Sequence, residues 1–184
     1  MAEEQLILVD EANRAVGTGA KTAVHRTGAL HRAFSIFIID KRGRILLQQR
    51  AAAKYHSGEL WANSCCGHPR PDERTASAAR RRLSEELGLD VPLTFGFYAR
   101  YQADLGRGMT ENELVYVYFG MLNGNPLPDP AEVAAVDFVS VTEINRRINR
   151  SPEIFAYWLR HYFQHHLREI TRCATETAQA ASGR

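Results

Sequence analysis

One spaced pattern of charged residues and glycines restricts what this sequence can fold into. It reads Gly-x5-Glu-x7-Arg-Arg-Leu-x-Glu-Glu-x-Gly-Leu, with fixed positions at Gly67, Glu73, Arg81, Arg82, Leu83, Glu85, Glu86, Gly88 and Leu89. On a helix, Arg82 and Glu86 share a face because they lie four residues apart. Such pairs alone are typical of a solvated helix with exposed ion pairs. The complete spacing, with both glycines, instead indicates a functional loop–helix–loop.

This pattern resembles the Nudix box, a loop–helix–loop that holds metal ions against a diphosphate. One position departs, since Arg82 stands where the family usually has a glutamate. In hydrolytic members that glutamate joins the two later ones at the metal, which activates water. An arginine removes this ligand and adds a phosphate-binding charge. The resemblance therefore implies a site that binds a diphosphate without hydrolysing it.

The hydrophobic pattern along the chain predicts strands around a short helix. Strands are expected at residues 6–9, 33–39 and 44–50, and around 95–100, 113–119 and 135–141. A helix is expected to begin at residues 71–73, with Asp72 as N-cap and Gly88 as its stop. Ser151 is expected to cap one last helix, and the tail from Ala174 to be disordered. This order indicates one α+β domain with a mixed sheet, spanning residues 1–184 with a core at about 21–165.

Composition and charge exclude several classes of protein. The net charge of +2 is too small to suggest nucleic acid as the main partner. The longest apolar stretch, residues 33–39, is far short of the ~20 residues that span a membrane. Residues 1–4 lack a signal-peptide pattern, and three cysteines make no disulfide framework. We expect a cytoplasmic monomer with a small-molecule ligand and no membrane partner.

A second motif lies at residues 61–69, which read Trp-Ala-Asn-Ser-Cys-Cys-Gly-His-Pro. Together with Glu111-Asn112-Glu113 it closely resembles the type 1 isopentenyl-diphosphate isomerases. In that family an Asn-Ser-x-Cys-Gly-His-Pro segment runs into the box, and Glu-Asn-Glu lies on a later strand. The resemblance covers roughly residues 21–158. It implies a Nudix fold, with helices flanking the sheet and a C-terminal helix closing the active site.

The same segments supply a candidate metal site. Glu111 and Glu113 alternate by two, so on a strand both carboxylates point to one face. Three imidazoles and two carboxylates suit a divalent ion such as manganese, magnesium or zinc; the imidazoles are those of His25, His31 and His68. Each histidine alone would be more typical of a surface or core position, and His25 and His31 lie one residue closer together than is usual in the family. The resemblance also implies that Glu86 holds a second ion, magnesium, on the substrate diphosphate.

The implied reaction moves a double bond, converting isopentenyl diphosphate to dimethylallyl diphosphate. An unactivated alkene must accept a proton, giving a tertiary carbocation, and then lose one from the other side. By resemblance, Cys66 and Glu113 are the acid and base, and Tyr101 helps to pass the proton. Cys65, the neighbouring thiol, is expected to pack inside. An ordinary half-buried strand tyrosine is the alternative for Tyr101.

Substrate-binding residues also follow from the resemblance. Lys21, Arg50, Lys54 and Arg82 match the family's phosphate contacts, and Trp158 matches an aromatic residue placed over the cation. An indole face stabilises a desolvated cation by ~2 kcal/mol or more. The local sequence differs, with Ala156 and Tyr157 where Ser-Pro is usual. Surface charges and simple helix packing are the alternatives, and His161, His165 and His166 are expected to form a polar helix face.

Two other functions remain open from the sequence. A Nudix hydrolase of a nucleoside diphosphate derivative would need the full glutamate set that Arg82 interrupts, and it has no use for Cys66. A non-catalytic Nudix-fold binding module would not need Cys66, Glu113 and the histidines together. Alkene isomerisation in the presence of metal separates all three functions.

Overall fold

The computed structural model describes residues 3–54 and 56–182. Its strands are β1 (Gln5–Val9), β2 (Ala15–Ala20), β3 (His31–Ile39), β4 (Arg44–Arg50), β5 (Trp61–Ala62), β6 (Cys65–Gly67), β7 (Leu93–Gly106), β8 (Met109–Met121) and β9 (Val133–Ser140). Its helices are α1 (Lys21–Thr27), α2 (Thr75–Leu87), α3 (Val141–Arg150), α4 (Tyr157–His165) and α5 (Leu167–Ser182), with a 3₁₀ turn at Pro152–Ile154. The predicted α+β class is confirmed. The sequence did not predict β2, β5, β6, α1 and α3.

Strand β3 organises the sheet. It pairs in parallel with β8 along its whole length, from His31 opposite Glu113 to Ile39 opposite Met121. It pairs antiparallel with β1, β4 and β6, while β7 pairs antiparallel with β8 and β9 with β4. The predicted mixed sheet is therefore confirmed. The segment at residues 61–69, which contains β6, and the Glu111-Asn112-Glu113 segment on β8 therefore lie on either side of the same central strand.

The continuous apolar run of β3 reflects a strand that is covered on both faces. Phe37 and Ile39 belong to a core shared with α3, α4 and α5, whereas Phe34 and Ile36 belong to a second core beneath α2. Fully burying a side chain of this size stabilises the fold by ~1.5–3 kcal/mol. Helices thus fix β3 from both sides, and the residues at its start are held rigidly.

Helix α2 begins later than predicted. It starts at Thr75, after an extended Arg74, and Asp72 has a left-handed φ of 65°. Asp72 as N-cap was wrong because an N-cap residue has extended backbone next to the first helical turn. The C-terminal end is confirmed: Gly88 has φ 64° and its N–H donates to the carbonyl of Ser84. Glycine adopts this conformation at no steric cost.

The C-terminal region differs from the predicted single helix. Ser151 precedes only the 3₁₀ turn and makes no capping hydrogen bond with its side chain, so its assignment as the cap of one last helix was wrong. The chain becomes extended at Phe155, where the next residue, Ala156, donates its N–H to the carbonyl of Trp61, and α4 and α5 follow. A disordered tail from Ala174 was also wrong, since α5 buries that residue and continues to Ser182. None of the helices in the described ranges is long and apolar enough to cross a membrane.

Candidate active site

The predicted site residues surround one pocket of about 590 Å³. Eleven of them line it, namely Lys21, Arg50, Lys54, Cys66, His68, Arg82, Glu86, Tyr101, Glu111, Glu113 and Trp158. The other two, His25 and His31, are fully buried and contact Glu111. Residues more than 130 positions apart in the sequence are therefore brought together, as Lys21 and Trp158 illustrate.

Two carboxylates on β8 meet three imidazoles, which come from α1, from the start of β3 and from the residue after β6. His25 Nε2 lies 3.1 Å from Glu111 Oε2, and His68 Nε2 lies 3.0 Å from Glu113 Oε1. His31 Nε2 lies 3.6 Å from one oxygen of each carboxylate. Ligand atoms of His25, His31, His68 and Glu111 all lie within 4.8 Å of one another. The three-residue connection between α1 and β3, which starts at left-handed Gly28, accommodates the short spacing between His25 and His31.

The hydrogen bonds of the imidazoles fit a divalent metal ion. His25 Nδ1 lies 2.7 Å from the carbonyl of Lys21, and His31 Nδ1 lies 2.9 Å from that of Ala29. A carbonyl can only accept, so each Nδ1 carries a proton, which leaves Nε2 as the nitrogen that would offer its lone pair to a metal ion. His31 Nε2 is buried and has no hydrogen-bond partner among the described residues. A buried group of nitrogen and carboxylate donors is the ligand set that suits a divalent ion.

The imidazoles also control the charge of the two carboxylates. Burial raises the pKa of Glu111, but the adjacent imidazoles of His25 and His31 outweigh it and hold the pKa well below its usual range. Burial and the charge of Glu111 raise the pKa of Glu113, yet His31 and His68 outweigh them and lower it. Both carboxylates are thus held ionised, which is the form that binds a cation.

The two adjacent cysteines face opposite sides of β6. Cys65 is fully buried in the core beneath α2. Cys66 lines the pocket and donates its thiol proton to Asn63 Oδ1 at 3.2 Å, and its Sγ lies 3.4 Å from Ser35 Oγ. Burial raises the pKa of Cys66 to about 12, which keeps it a thiol at neutral pH. The expected inward packing of Cys65 is confirmed.

Tyr101 and Glu113 are register partners on β7 and β8. The buried Tyr101 hydroxyl donates a hydrogen bond to Glu113 Oε2, while Glu113 Oε1 faces His68. Burial raises the pKa of Tyr101 well above its usual value, so the phenol keeps its proton. Glu113 thus connects the imidazole group to a phenol that lines the pocket.

The four basic side chains predicted to contact phosphate line the pocket, those of Lys21, Arg50, Lys54 and Arg82, and acidic residues contact Lys21, Lys54 and Arg82. Arg82 pairs with Glu86, with Glu85 at 2.6 Å and with Glu132 at 3.1 Å. Lys54 also pairs with Glu132, and Lys21 lies 2.7 Å from Glu4. Glu86 contacts Arg82, Lys54 and Gln48.

The aromatic wall of the pocket is Trp158, a buried residue of α4. The Arg50 guanidinium lies 5.2 Å from the centre of this indole ring. The same guanidinium donates to the carbonyls of His56 and Ser57, at 3.1 Å each. Arg50 thus joins the loop after β4 to the tryptophan.

Several pocket residues escaped the sequence analysis. Among them, Glu4, His56 and Glu132 line the pocket but lie outside the motifs that carry the resemblance. Glu4 belongs to the segment before β1, and the other two precede β5 and β9. Only the side-chain contacts seen in three dimensions identify them.

Comparison with known proteins agrees with this geometry. The model of the NUDIX domain family matches residues 29–162. Isopentenyl-diphosphate Delta-isomerase 2 of Aromatoleum aromaticum is 48% identical over 157 residues, covering 85% of this chain and 83% of that protein. The isopentenyl-diphosphate Delta-isomerase of Serratia proteamaculans is 46% identical over 156 residues, covering 85% of this chain and 87% of that protein. The chain belongs to the isopentenyl-diphosphate Delta-isomerase family, within the Nudix superfamily.

Solved structures similar to this isomerase-family chain establish the fold alone. DR0079 of Deinococcus radiodurans superposes with a TM-score of 0.74 at 18% identity, covering 92% of this chain and 99% of that one. The MutT protein of Methanosarcina mazei Go1 has a TM-score of 0.63 at 18% identity, covering 76% of this chain and 94% of that one. The Nudix fold is therefore shown by structure as well as by sequence.

Proposed function

We propose that the chain is an isomerase that converts isopentenyl diphosphate to dimethylallyl diphosphate, a step of isoprenoid biosynthesis. One observation carries the proposal: Cys66 and Glu113, from two different strands, line the same pocket beside a buried metal-binding group. Neither hydrolysis nor simple binding requires that combination. The similarity to curated isomerases over most of the chain supports the same conclusion.

Cys66 and Glu113 are the acid and base of the proposed reaction. One group adds a proton to the terminal alkene carbon, giving a tertiary carbocation, and the other removes a proton from the carbon on the far side of that centre. The reverse reaction exchanges the two roles, so each group must be able to hold and release a proton. Asn63 and Ser35 orient the thiol, and Tyr101 orients the carboxyl group and passes its proton.

Two metal ions have separate roles in the proposal. One divalent ion (manganese, magnesium or zinc) is held by His25, His31, His68, Glu111 and Glu113, and when bound it fixes the Glu113 carboxyl group and tunes its pKa. Glu86, which lies among the cations, holds a second ion, magnesium, together with the substrate diphosphate. The contacts of Glu86 with Arg82, Lys54 and Gln48, and its position outside the group of His25, His31, His68 and Glu111, support two distinct sites.

The basic side of the pocket binds the diphosphate. Lys21, Arg50, Lys54 and Arg82 provide four cations, with arginine suited to two-point phosphate contacts and lysine acting as a point charge. Before substrate binds, Glu132 and Glu86 partner Arg82. Diphosphate oxygens replace these carboxylates in the complex. The apolar part of the substrate then lies towards Trp158, whose ring face stabilises the cation.

The oligomeric state, cellular location and partners of the chain are also part of the proposal. We propose a monomer that acts in the cytoplasm on a small molecule, with no nucleic-acid or membrane partner. The net charge of +2 and the unpaired state of all three cysteines support this part of the proposal.

The experiment that tests the function separates the products of three activities. The protein is incubated with isopentenyl diphosphate and Mg²⁺ or Mn²⁺, and the products are resolved by chromatography with and without EDTA. Metal-dependent formation of dimethylallyl diphosphate is the expected result. Release of phosphate or pyrophosphate would identify a hydrolase, and unchanged substrate that co-elutes with the metal-loaded protein would identify a binding module.

A further inference from the structure

A fourth imidazole, outside the motifs, reaches the buried carboxylates. His56 lies in the loop between β4 and β5, and only 9% of its side chain is exposed. Its Nε2 lies 3.3 Å from Glu111 Oε1. His25 and His31 face the other oxygen, Oε2. The two oxygens of Glu111 are therefore divided between the metal-binding imidazoles and His56.

The partners of His56 determine which ring nitrogen carries the proton. The ionised carboxylate of Glu111 can only accept, so the proton is on His56 Nε2, which faces it. Nδ1 then accepts from the hydroxyl of Ser57, whose Oγ lies 3.3 Å away. Ser57 has a left-handed φ of 51°, a conformation that costs a non-glycine residue free energy. Such backbone strain persists only where the surroundings hold the residue in place.

Two further contacts hold the His56 ring and its loop. The ring meets Trp158 edge to face, at 6.0 Å between centroids and 89° between planes. The Arg50 guanidinium donates to the backbone carbonyls of His56 and Ser57 while it packs on the same tryptophan. His56 thus touches both the carboxylate of the metal-binding group and the aromatic wall of the substrate pocket.

We propose that His56 is a positioning residue that binds Glu111 Oε1 and fixes the carboxylate so that Oε2 faces the metal. The proposal rests on the proposed metal site and assigns it a residue outside the motif set. Groups that orient metal ligands in this way typically change metal affinity by about 10- to 100-fold when they are replaced. The same hydrogen bond also couples the metal site to the wall formed by Trp158.

Binding of Co²⁺ to the full chain, measured by chelator competition and by the visible spectrum, tests this inference. His56→Phe keeps an aromatic ring against Trp158 but loses the N–H, so its Co²⁺ affinity should fall by about 10- to 100-fold. Its Co²⁺ spectrum should keep the wild-type band positions and intensity, because the direct ligands remain. His56→Gln, which retains a donor of similar reach, should recover most of the affinity. His165→Phe, at an exposed position on α4, is the matched control and should bind as the wild type does.

The other possible results separate a failure of the His56 proposal from a failure of the proposed metal site. Wild-type affinity in His56→Phe would overturn the proposal, as would failure of His56→Gln to recover affinity while its melting temperature without metal stays at the wild-type value. A Co²⁺ spectrum showing a lost ligand in His56→Phe would also overturn it, because His56 would then bind the metal directly. A wild-type protein that binds no Co²⁺ would contradict the proposed metal site itself, which is a different failure.

Discussion

His31 on β3 and Glu113 on β8 are register partners across a parallel strand pair, and His31 Nε2 lies 3.6 Å from Glu113 Oε1. On its other side, Glu113 is the register partner of Tyr101 on β7. Three neighbouring strands therefore place an imidazole, a carboxylate and a phenol in one row. With this register, Glu113 belongs both to the proposed metal-binding group and to the proposed acid–base group.

Replacing either proposed proton-transfer group should remove nearly all turnover. Cys66→Ala and Glu113→Gln should each lower kcat by at least about 100-fold, because general acid–base groups contribute on that scale. Cys65→Ala is the matched control, since Cys65 packs away from the pocket, and it should keep most activity. Steady-state kinetics with circular dichroism checks both points. An inactive but folded Cys65→Ala would show that the wrong thiol was chosen.

Restoring the usual box residue should weaken substrate binding. Arg82→Glu removes a cation of the proposed diphosphate site and places a second carboxylate beside Glu86, so KM for isopentenyl diphosphate should rise by about 10- to 100-fold. Arg80→Glu, an exposed position that pairs with Asp90 outside the pocket, should leave KM unchanged. Unchanged substrate affinity in Arg82→Glu would remove Arg82 from the diphosphate site.

The two tryptophans of the chain offer a matched pair for testing cation stabilisation. Trp158→Leu should lower kcat by about thirty-fold, because the lost interaction of ~2 kcal/mol acts on the carbocation rather than on the bound substrate. Trp158→Phe should retain part of the rate, since it keeps an aromatic face. Trp61→Leu, on the half-buried short strand β5, should leave kcat near the wild-type value. Equal losses of kcat in Trp158→Leu and Trp61→Leu would indicate that both tryptophans contribute by packing alone.

The histidine face of α4 should contribute to acid sensitivity. Burial and the neighbouring His165 and His166 lower the pKa of His161 to about 4. As the pH falls, His161 is therefore protonated in the unfolded state before it is protonated in the folded state. Its contribution to the free energy of unfolding is intact above about pH 6.5 and is lost as the pH falls towards 4. We expect the unfolding free energy of His161→Gln to fall less than that of the wild type between pH 7 and pH 5. The difference should be at most about 1 kcal/mol, because solvent screens the half-exposed ring.

Urea titrations of both proteins at the two pH values measure this difference. The value at pH 7 serves as the internal control for any loss of packing. An identical pH dependence in the two proteins would show that His161 titrates normally in the folded state.

The sequence predicted the residues at the centre of the site because, on a strand, the spacing between two residues determines which face each side chain is on. Glu111 and Glu113 alternate by two, and Cys65 and Cys66 are adjacent, so strand geometry alone assigns their faces. The structure agrees at both places. The box spacing likewise located α2 and the end of that helix at Gly88.

Residues outside the motifs could not be predicted, for physical reasons. His56, Glu4 and Glu132 reach the pocket through loops, whose paths depend on contacts such as that of Arg50 with the His56 carbonyl. The late start of α2 depends on a left-handed turn at Asp72, a residue that also favours N-caps. The break before α4 depends on the Ala156 to Trp61 hydrogen bond, a long-range contact.

The central claim is that the chain isomerises an alkene through protonation and deprotonation. Proton NMR of the metal-loaded protein with isopentenyl diphosphate in deuterated water tests it most directly. Dimethylallyl diphosphate carrying deuterium in a methyl group is the predicted result, because the added proton then comes from a group that exchanges with solvent. Release of phosphate or pyrophosphate without double-bond movement, or an unchanged spectrum from protein shown to contain metal, would contradict the claim.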